Sequence, residues 1–188
     1  MDPSGKKFND DNLKKSNEYI DLILDRIMEL QKMKMNLIDD KEIKDIDGQI
    51  SELFRSLGDI DLMRNDPIYE YQFLEDGRSF TDRSGNYILM HYNSSWENFS
   101  HEARHGGQVA RRELGYDLLG NPNYQYTINS EIDAYRAQFA FMGVLDFPYF
   151  YSLVFKTIYP VTIKKMTGIN KNLINNLRDK DGNPLYHF

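Results

Sequence analysis

Residues 94–110 read Ser94-Ser95-Trp96-Glu97-Asn98-Phe99-Ser100-His101-Glu102-Ala103-Arg104-His105-Gly106-Gly107-Gln108-Val109-Ala110. Ser94 and Glu97 stand as a capping box, the serine accepting from the Glu97 backbone N–H and the glutamate reaching back, so a helix is predicted from here to about Leu114. On that helix His101 and His105 lie one turn apart on the same face. Two imidazoles so placed can reach one zinc ion at about 2.0–2.1 Å. Glu102 sits about 100° round the helix, beside such a metal rather than on it. There it can take a proton from a bound water whose pKa zinc has lowered to about 7.

Trp96, Phe99, Ala103 and Ala110 form an apolar stripe, with His101, His105 and Gln108 nearly opposite. Adjacent helical glycines cost about 1 kcal/mol each relative to alanine, so Gly106-Gly107 argues for a central helix approached closely by another backbone. Upstream, Tyr87–Tyr92 is a strand candidate, and a small antiparallel sheet is predicted over 68–92 with turns at Asp76-Gly77 and Ser84-Gly85-Asn86. His91 reads as a strand residue or a cleft residue. Earlier still, helices are predicted over 12–35 and 41–57, joined at 36–40 into a hairpin that either packs on the core or stands off as an arm.

Downstream, Ser130 and Asp133 suggest a second capping box and a helix to about Val144. It is apolar nearly all round and so internal, and Ala134 is small enough to lie against Gly106-Gly107. Glu131, twenty-six residues after His105, and Asp133 are its acidic candidates for a third ligand. Each also has a plainer role, Glu131 answering the helix dipole and Asp133 capping. Tyr135 either bonds to the site or fills the core. Glu102 has a plain alternative too, an ion pair with Arg104 or Arg112. Residues 149–177 read as helical with a break near Pro160, the aromatics Tyr149, Phe150 and Tyr151 filling a core, and His187 has no assigned role. The expected fold is α+β: a mostly helical domain with a small antiparallel sheet, organised as a lead-in (1–11), a helical hairpin (12–64) and the site-bearing domain (65–188).

Composition narrows the chemistry. The 188 residues contain no cysteine, which excludes a disulfide scaffold, a thiolate zinc site and a thiol nucleophile. Lys+Arg 23 against Asp+Glu 29 gives a net charge of −6, against a nucleic-acid partner. No apolar run approaches the ~20 residues of a membrane span, and no membrane partner is expected. Residues 1–7 have no apolar stretch behind them, so no secretory signal is expected.

The His101-Glu102-x-x-His105 helix, the strand before it, the glycine pair and the acidic helix after it together resemble the zincin metallopeptidases, in their gluzincin branch. The wording Glu131-x-x-Ala134-Tyr135 is similar to the third-ligand helix of clostridial neurotoxin light chains and small bacterial effector peptidases. The resemblance implies a zinc site of His101, His105 and Glu131, with Glu102 as catalytic base and proton donor to the leaving amine. A thermolysin-like alignment would take Asp133 instead. The metzincin continuation is absent, since its next histidine would fall at Arg111. Tyr135 or Arg136 is available to stabilise an oxyanion, and an extended protein or peptide substrate is expected along the Tyr87–Tyr92 edge. Separately, Asp2-Pro3-Ser4-Gly5-Lys6 resembles the end of the core repeat region of Rhs-type polymorphic toxins, which implies a delivered toxin domain with a cognate immunity protein; otherwise a cytoplasmic enzyme is expected. Two rival readings stand beside the enzyme: a zincin-like fold that binds without catalysis, and a helical interaction module working through residues 12–57.

Overall fold

Apolar residues at helical spacing build α1 (Asp10–Lys34) and α2 (Asp40–Arg64) in this computed structural model, which describes residues 8–115 and 127–186. The Asp2-to-Lys6 wording and His187 lie outside the described residues. Asn9 caps α1 by accepting from Asn12 N, and Asp39 caps α2 by accepting from Lys41 N and Glu42 N. α2 runs a full seven residues past the predicted end at Leu57, because its buried face continues through the polar Ser56 and Asp59 to Ile60 and Met63. The hairpin does not stand off. Tyr19 of α1 packs against Phe99 and Phe141, and Ile23, Leu53, Ile60 and Met63 join the same buried cluster as Tyr71, Ile88, Met90 and Phe99.

The fold is α+β, but its first sheet is mixed rather than antiparallel. β1 (Glu70–Glu75), β2 (Phe80–Ser84) and β3 (Tyr87–Tyr92) lie in the order β1-β3-β2. β2 and β3 form the expected hairpin, whereas β1 pairs with β3 in parallel, Tyr71 beside Ile88. Parallel neighbours need a crossover of about a dozen residues. Here residues 76–86 provide it, with β2 as part of the path. Asp66 fastens this sheet. Its Oδ1 accepts from the backbones of Ile68 and Tyr69, and its Oδ2 from the Tyr71 hydroxyl, while Arg112 spans both oxygens at 2.7 and 2.8 Å.

α3 (Trp96–Ala110) begins one residue later than the capping box suggested. Ser94 turns the chain with φ 67°, and Ser95 is the cap, accepting from Asn98 N. The helix stops short of Leu114 because Arg112 takes a left-handed φ of 64°. α4 (Ile128–Met142) is capped by Thr127, with Ser130 completing the box, so the predicted Ser130–Asp133 box is displaced by three residues. Gly143, φ 80°, ends the helix.

The largest departure follows. Residues predicted helical from 149 form β4 (Leu145–Ser152) and β5 (Thr157–Ile163), an antiparallel hairpin, and among the described residues only a single 3-10 turn (Met166–Gly168) and α5 (Lys171–Asn176) are helical after it. The aromatic and β-branched content of this stretch favours strands, and the register shift between Phe147 and Phe150 accommodates Pro148. Phe147 and Phe150 pack on a second core around Phe139, Leu145 and Leu173, while Tyr149 is exposed rather than filling a core. No helix among the described residues is long and apolar enough to cross a membrane.

The two glycines of α3 mark a close approach, but the nearest atoms are side chains of α2 and β3 rather than the expected second backbone. A Cβ on Gly106 would lie 2.5 Å from Met90 Sδ and 2.6 Å from Met63 Sδ, and one on Gly107 would collide with the Asp59 carboxylate. Gly58, exposed within α2, has nothing within 4 Å of the equivalent position. Gly107→Ala should therefore destabilise by about 1–3 kcal/mol through overpacking. Gly58→Ala should stabilise by about 1 kcal/mol. Urea denaturation of both variants checks these opposite signs.

Candidate metal centre

α3 is buried from Phe99 to Val109, so neither face of this helix looks onto open water. α4 covers the histidine face and brings Glu131 to it. The His101 and His105 Nε2 atoms stand 3.2 Å apart. Glu131 places Oε1 3.2 Å from His105 Nε2 and Oε2 3.5 Å from His101 Nε2. One ligand atom from each of the three residues lies within 4.8 Å of the others, and all three side chains are buried.

Two glutamines set the imidazole tautomers. Gln138 Nε2 donates to Glu97 Oε1, which turns Gln138 Oε1 toward His101 Nδ1 at 3.2 Å. Gln108 Nε2 donates to Ser130 O and Asp133 Oδ2, which turns its Oε1 toward His105 Nδ1 at 2.9 Å. An amide oxygen only accepts, so each Nδ1 carries the proton and each neutral ring presents a bare Nε2 lone pair. Two lone pairs and a carboxylate thus converge in a buried space, an arrangement that calls for a cation. Two imidazoles and a carboxylate are a donor set that suits zinc and leaves a fourth position open.

Without a metal, a proton fills that need. Burial lowers the pKa of His105, but the Glu131 carboxylate overrides it and the imidazole stands at about 9. Burial raises the pKa of Glu131, and His105 and His101 override it, holding the carboxyl well below its ordinary range.

Glu102 is paired with neither Arg104 nor Arg112. Its Oε1 accepts from Ser79 Oγ at 3.1 Å and its Oε2 from Thr81 Oγ1 at 2.8 Å, which aims the carboxylate at β2. β2 is an edge strand, whereas Tyr87–Tyr92 is the central strand with both sides paired, so it has no edge to offer a substrate. Asp133 neither caps α4 nor joins the ligand group. It takes the Arg55 guanidinium, Gln108 Nε2 and, at 3.4 Å, Arg104 NH1. It therefore acts on His105 through Gln108.

Tyr135 stacks edge-on against His101 with ring centroids 4.6 Å apart, and its hydroxyl lies 2.8 Å from that of Tyr186. Tyr186 also hydrogen-bonds Glu131. Burial pushes both phenols up, Tyr186 well above its ordinary range. Arg136 points elsewhere, into a cavity with Lys41, Lys44 and Lys165. His91 stands apart from the ligand group, its Nδ1 2.7 Å from Asp76 Oδ2 and its ring stacked on Phe80. Ser79, Thr81 and Tyr186 were not singled out by the sequence reading, because each reaches the site through tertiary structure alone.

Comparison with family models, with curated proteins and with solved structures finds no match for this chain.

Gln138→Leu or Tyr186→Phe should weaken zinc affinity by about 10–100-fold with the fold intact, since each removes a partner that orients a ligand; chelator competition measures it. The pH dependence should reverse on metal removal. A raised His105 pKa gives the metal-free protein stability that is fully present below its ordinary value of 6.5 and lost as pH rises through about 9. Zinc needs the deprotonated ligand, so the zinc-loaded protein should gain stability over the same interval. Thermal melts with and without chelator read the two slopes.

Proposed function

We propose that this chain is a zinc-dependent metallopeptidase. The observation that carries the reading is the convergence of ligand atoms from His101, His105 and Glu131, two imidazoles and a carboxylate within 4.8 Å of one another, beside a buried Glu102. His101, His105 and Glu131 would hold the ion. When bound, zinc acidifies water toward neutrality and polarises a carbonyl.

The remaining chemistry belongs to the chain's own residues. Glu102 accepts the proton of the attacking water and returns it to the leaving amine. Ser79 and Thr81 hold its carboxylate in one orientation, so it need not search for its geometry during reaction. The free side of β2, two of whose flanking and member residues touch Glu102, is where an extended peptide would add as a strand. The Glu131-x-x-Ala134-Tyr135 wording supports a gluzincin-type reading, and the Asp2-to-Lys6 wording supports a delivered toxin domain with a cognate immunity protein.

The test is cleavage of a proteome-derived peptide mixture, read by mass spectrometry of new termini, by zinc-loaded wild type and Glu102→Gln. The variant should keep its zinc and lose about 10²–10⁴-fold in rate. Equal cleavage by both would refute the role of Glu102. A zinc-loaded wild type that cuts nothing would favour a binding protein on the same fold, and a wild type without zinc affinity would point to the helical module.

A further inference from the structure

The turn between β4 and β5 carries Leu153, Val154 and Phe155, exposed by 70%, 83% and 73%. Three consecutive large apolar side chains facing solvent are a fault in a surface unless something covers them. None of the three belongs to either buried core. The turn is also well fixed. Buried Ser152 accepts from Phe155 N through its hydroxyl at 3.1 Å and from Lys156 N through its carbonyl at 2.7 Å, and Lys156 closes the turn with φ 50°. The chain therefore holds these side chains outward in a defined shape.

Charge identifies the partner. The chain carries a net −6, yet the cations beside the tip are Lys156 and Arg178, whereas Lys164 and Lys165 follow the far end of β5, the end at which Asp146 also lies. Asp146 lies at the start of β4, away from the turn, where it accepts from Thr162 Oγ1. Beside the apolar tip a groove of about 620 Å³ is lined by Lys156, Arg178, Tyr151 and Ile158, with Arg178 lying over the Tyr151 ring at 5.3 Å. The acids nearest in sequence are Asp179 and Asp181, in the following turn. There the Asp179 carboxylate is taken up by the backbone of Asp181 and Asn183. Tyr149 and Tyr159, both more than a third exposed, are aromatic side chains of the type that settles at a membrane interface.

We propose that the β4–β5 tip docks on an anionic lipid surface, Leu153, Val154 and Phe155 entering the interface while Lys156 and Arg178 meet phosphate headgroups. No membrane-spanning helix is needed for such a contact. A fixed apolar tip flanked by cations supplies the two signals, apolar burial and electrostatic attraction, that peripheral binding combines.

Flotation of the full chain with phosphatidylcholine vesicles, with and without phosphatidylserine, tests this. Wild type should float with the phosphatidylserine vesicles and not with phosphatidylcholine alone, and added salt should weaken the binding. Phe155→Ser should lower the partition by about tenfold or more, and Lys156→Gln should lower it by about fivefold, both with unchanged zinc affinity and unchanged far-ultraviolet dichroism. Failure of wild type to float with anionic vesicles overturns the proposal. So does flotation that Phe155→Ser leaves unaltered, equal binding to both vesicle types, or concentration-dependent self-association that Phe155→Ser abolishes, which would assign the tip to a second copy of the chain.

Discussion

The guanidinium of Arg104, fully buried in α3, holds the three helices around the site in register. It donates to Ser56 Oγ and Glu52 O, both at 3.0 Å, and lies within ion-pair distance of Glu52, Asp59 and Asp133. Arg111 adds a second bond to Asp59, and Arg55 a second to Asp133. α2 supplies two of these acids and α4 the third. A buried charge left without partners costs several kcal/mol, so the observed placement of α4, which brings Asp133 to Arg104 and Arg55, is favoured over displaced ones. Asp133 is two residues from Glu131, and fixing the one sets where the other enters the histidine face. The ion-pair network thus supplies specificity of arrangement on one side of α3, and the ligand group uses that arrangement on the other.

The same economy appears in the polar atoms around the histidines. Gln108 answers the carbonyl of Ser130 and the carboxylate of Asp133 with its amide hydrogens, which leaves one orientation for its oxygen. Gln138 is fixed by Glu97 in the same way. Both rings are therefore held at Nδ1 by groups that are themselves held, and this places both Nε2 atoms beside the Glu131 carboxylate, as the proposed zinc site needs. Tyr135 and Tyr186 close the Glu131 side through a pair of hydroxyls. Side chains held in this manner would lose little in ordering on binding the proposed zinc.

Much of the site was legible in the sequence because its core is local. The four-residue spacing of His101 and His105 follows from helix geometry alone, and the glycine pair signalled a crowded helix. Glu131 needed a resemblance, since Asp133 offered the same charge on the same helix. Only the tertiary placement of Arg55, Arg104 and Gln108 explains why Asp133 is engaged elsewhere. The sheet was legible as strands but not as a topology: nothing in residues 68–92 states that β3 inserts between β1 and β2. The β4–β5 hairpin was misread because short apolar runs fit helix and strand alike. Its aromatic and β-branched content, from Tyr149 to Ile163, was the available signal. Tyr186 reaches the site only because the chain doubles back over the Asp179–Asn183 turn, a tertiary event with no local signature near His101.

The N-terminal hairpin follows from the same physics. Read from the sequence, α1 and α2 were amphipathic helices with a choice between packing and standing off. Their apolar faces alone do not decide it, since an exposed arm can bury one stripe in a partner. The polar residues of α2 decide it. Glu52, Ser56 and Asp59 lie on the side that meets α3, where Arg104 and Arg111 need acceptors. Met63 fills the space that Gly106 leaves open. Detached, the hairpin would take from Arg104 and Arg111 their acceptors on α2 and open to water the side of α3 that Met63 covers. The hairpin is therefore a wall of the site, joined to it by the charges that orient α4.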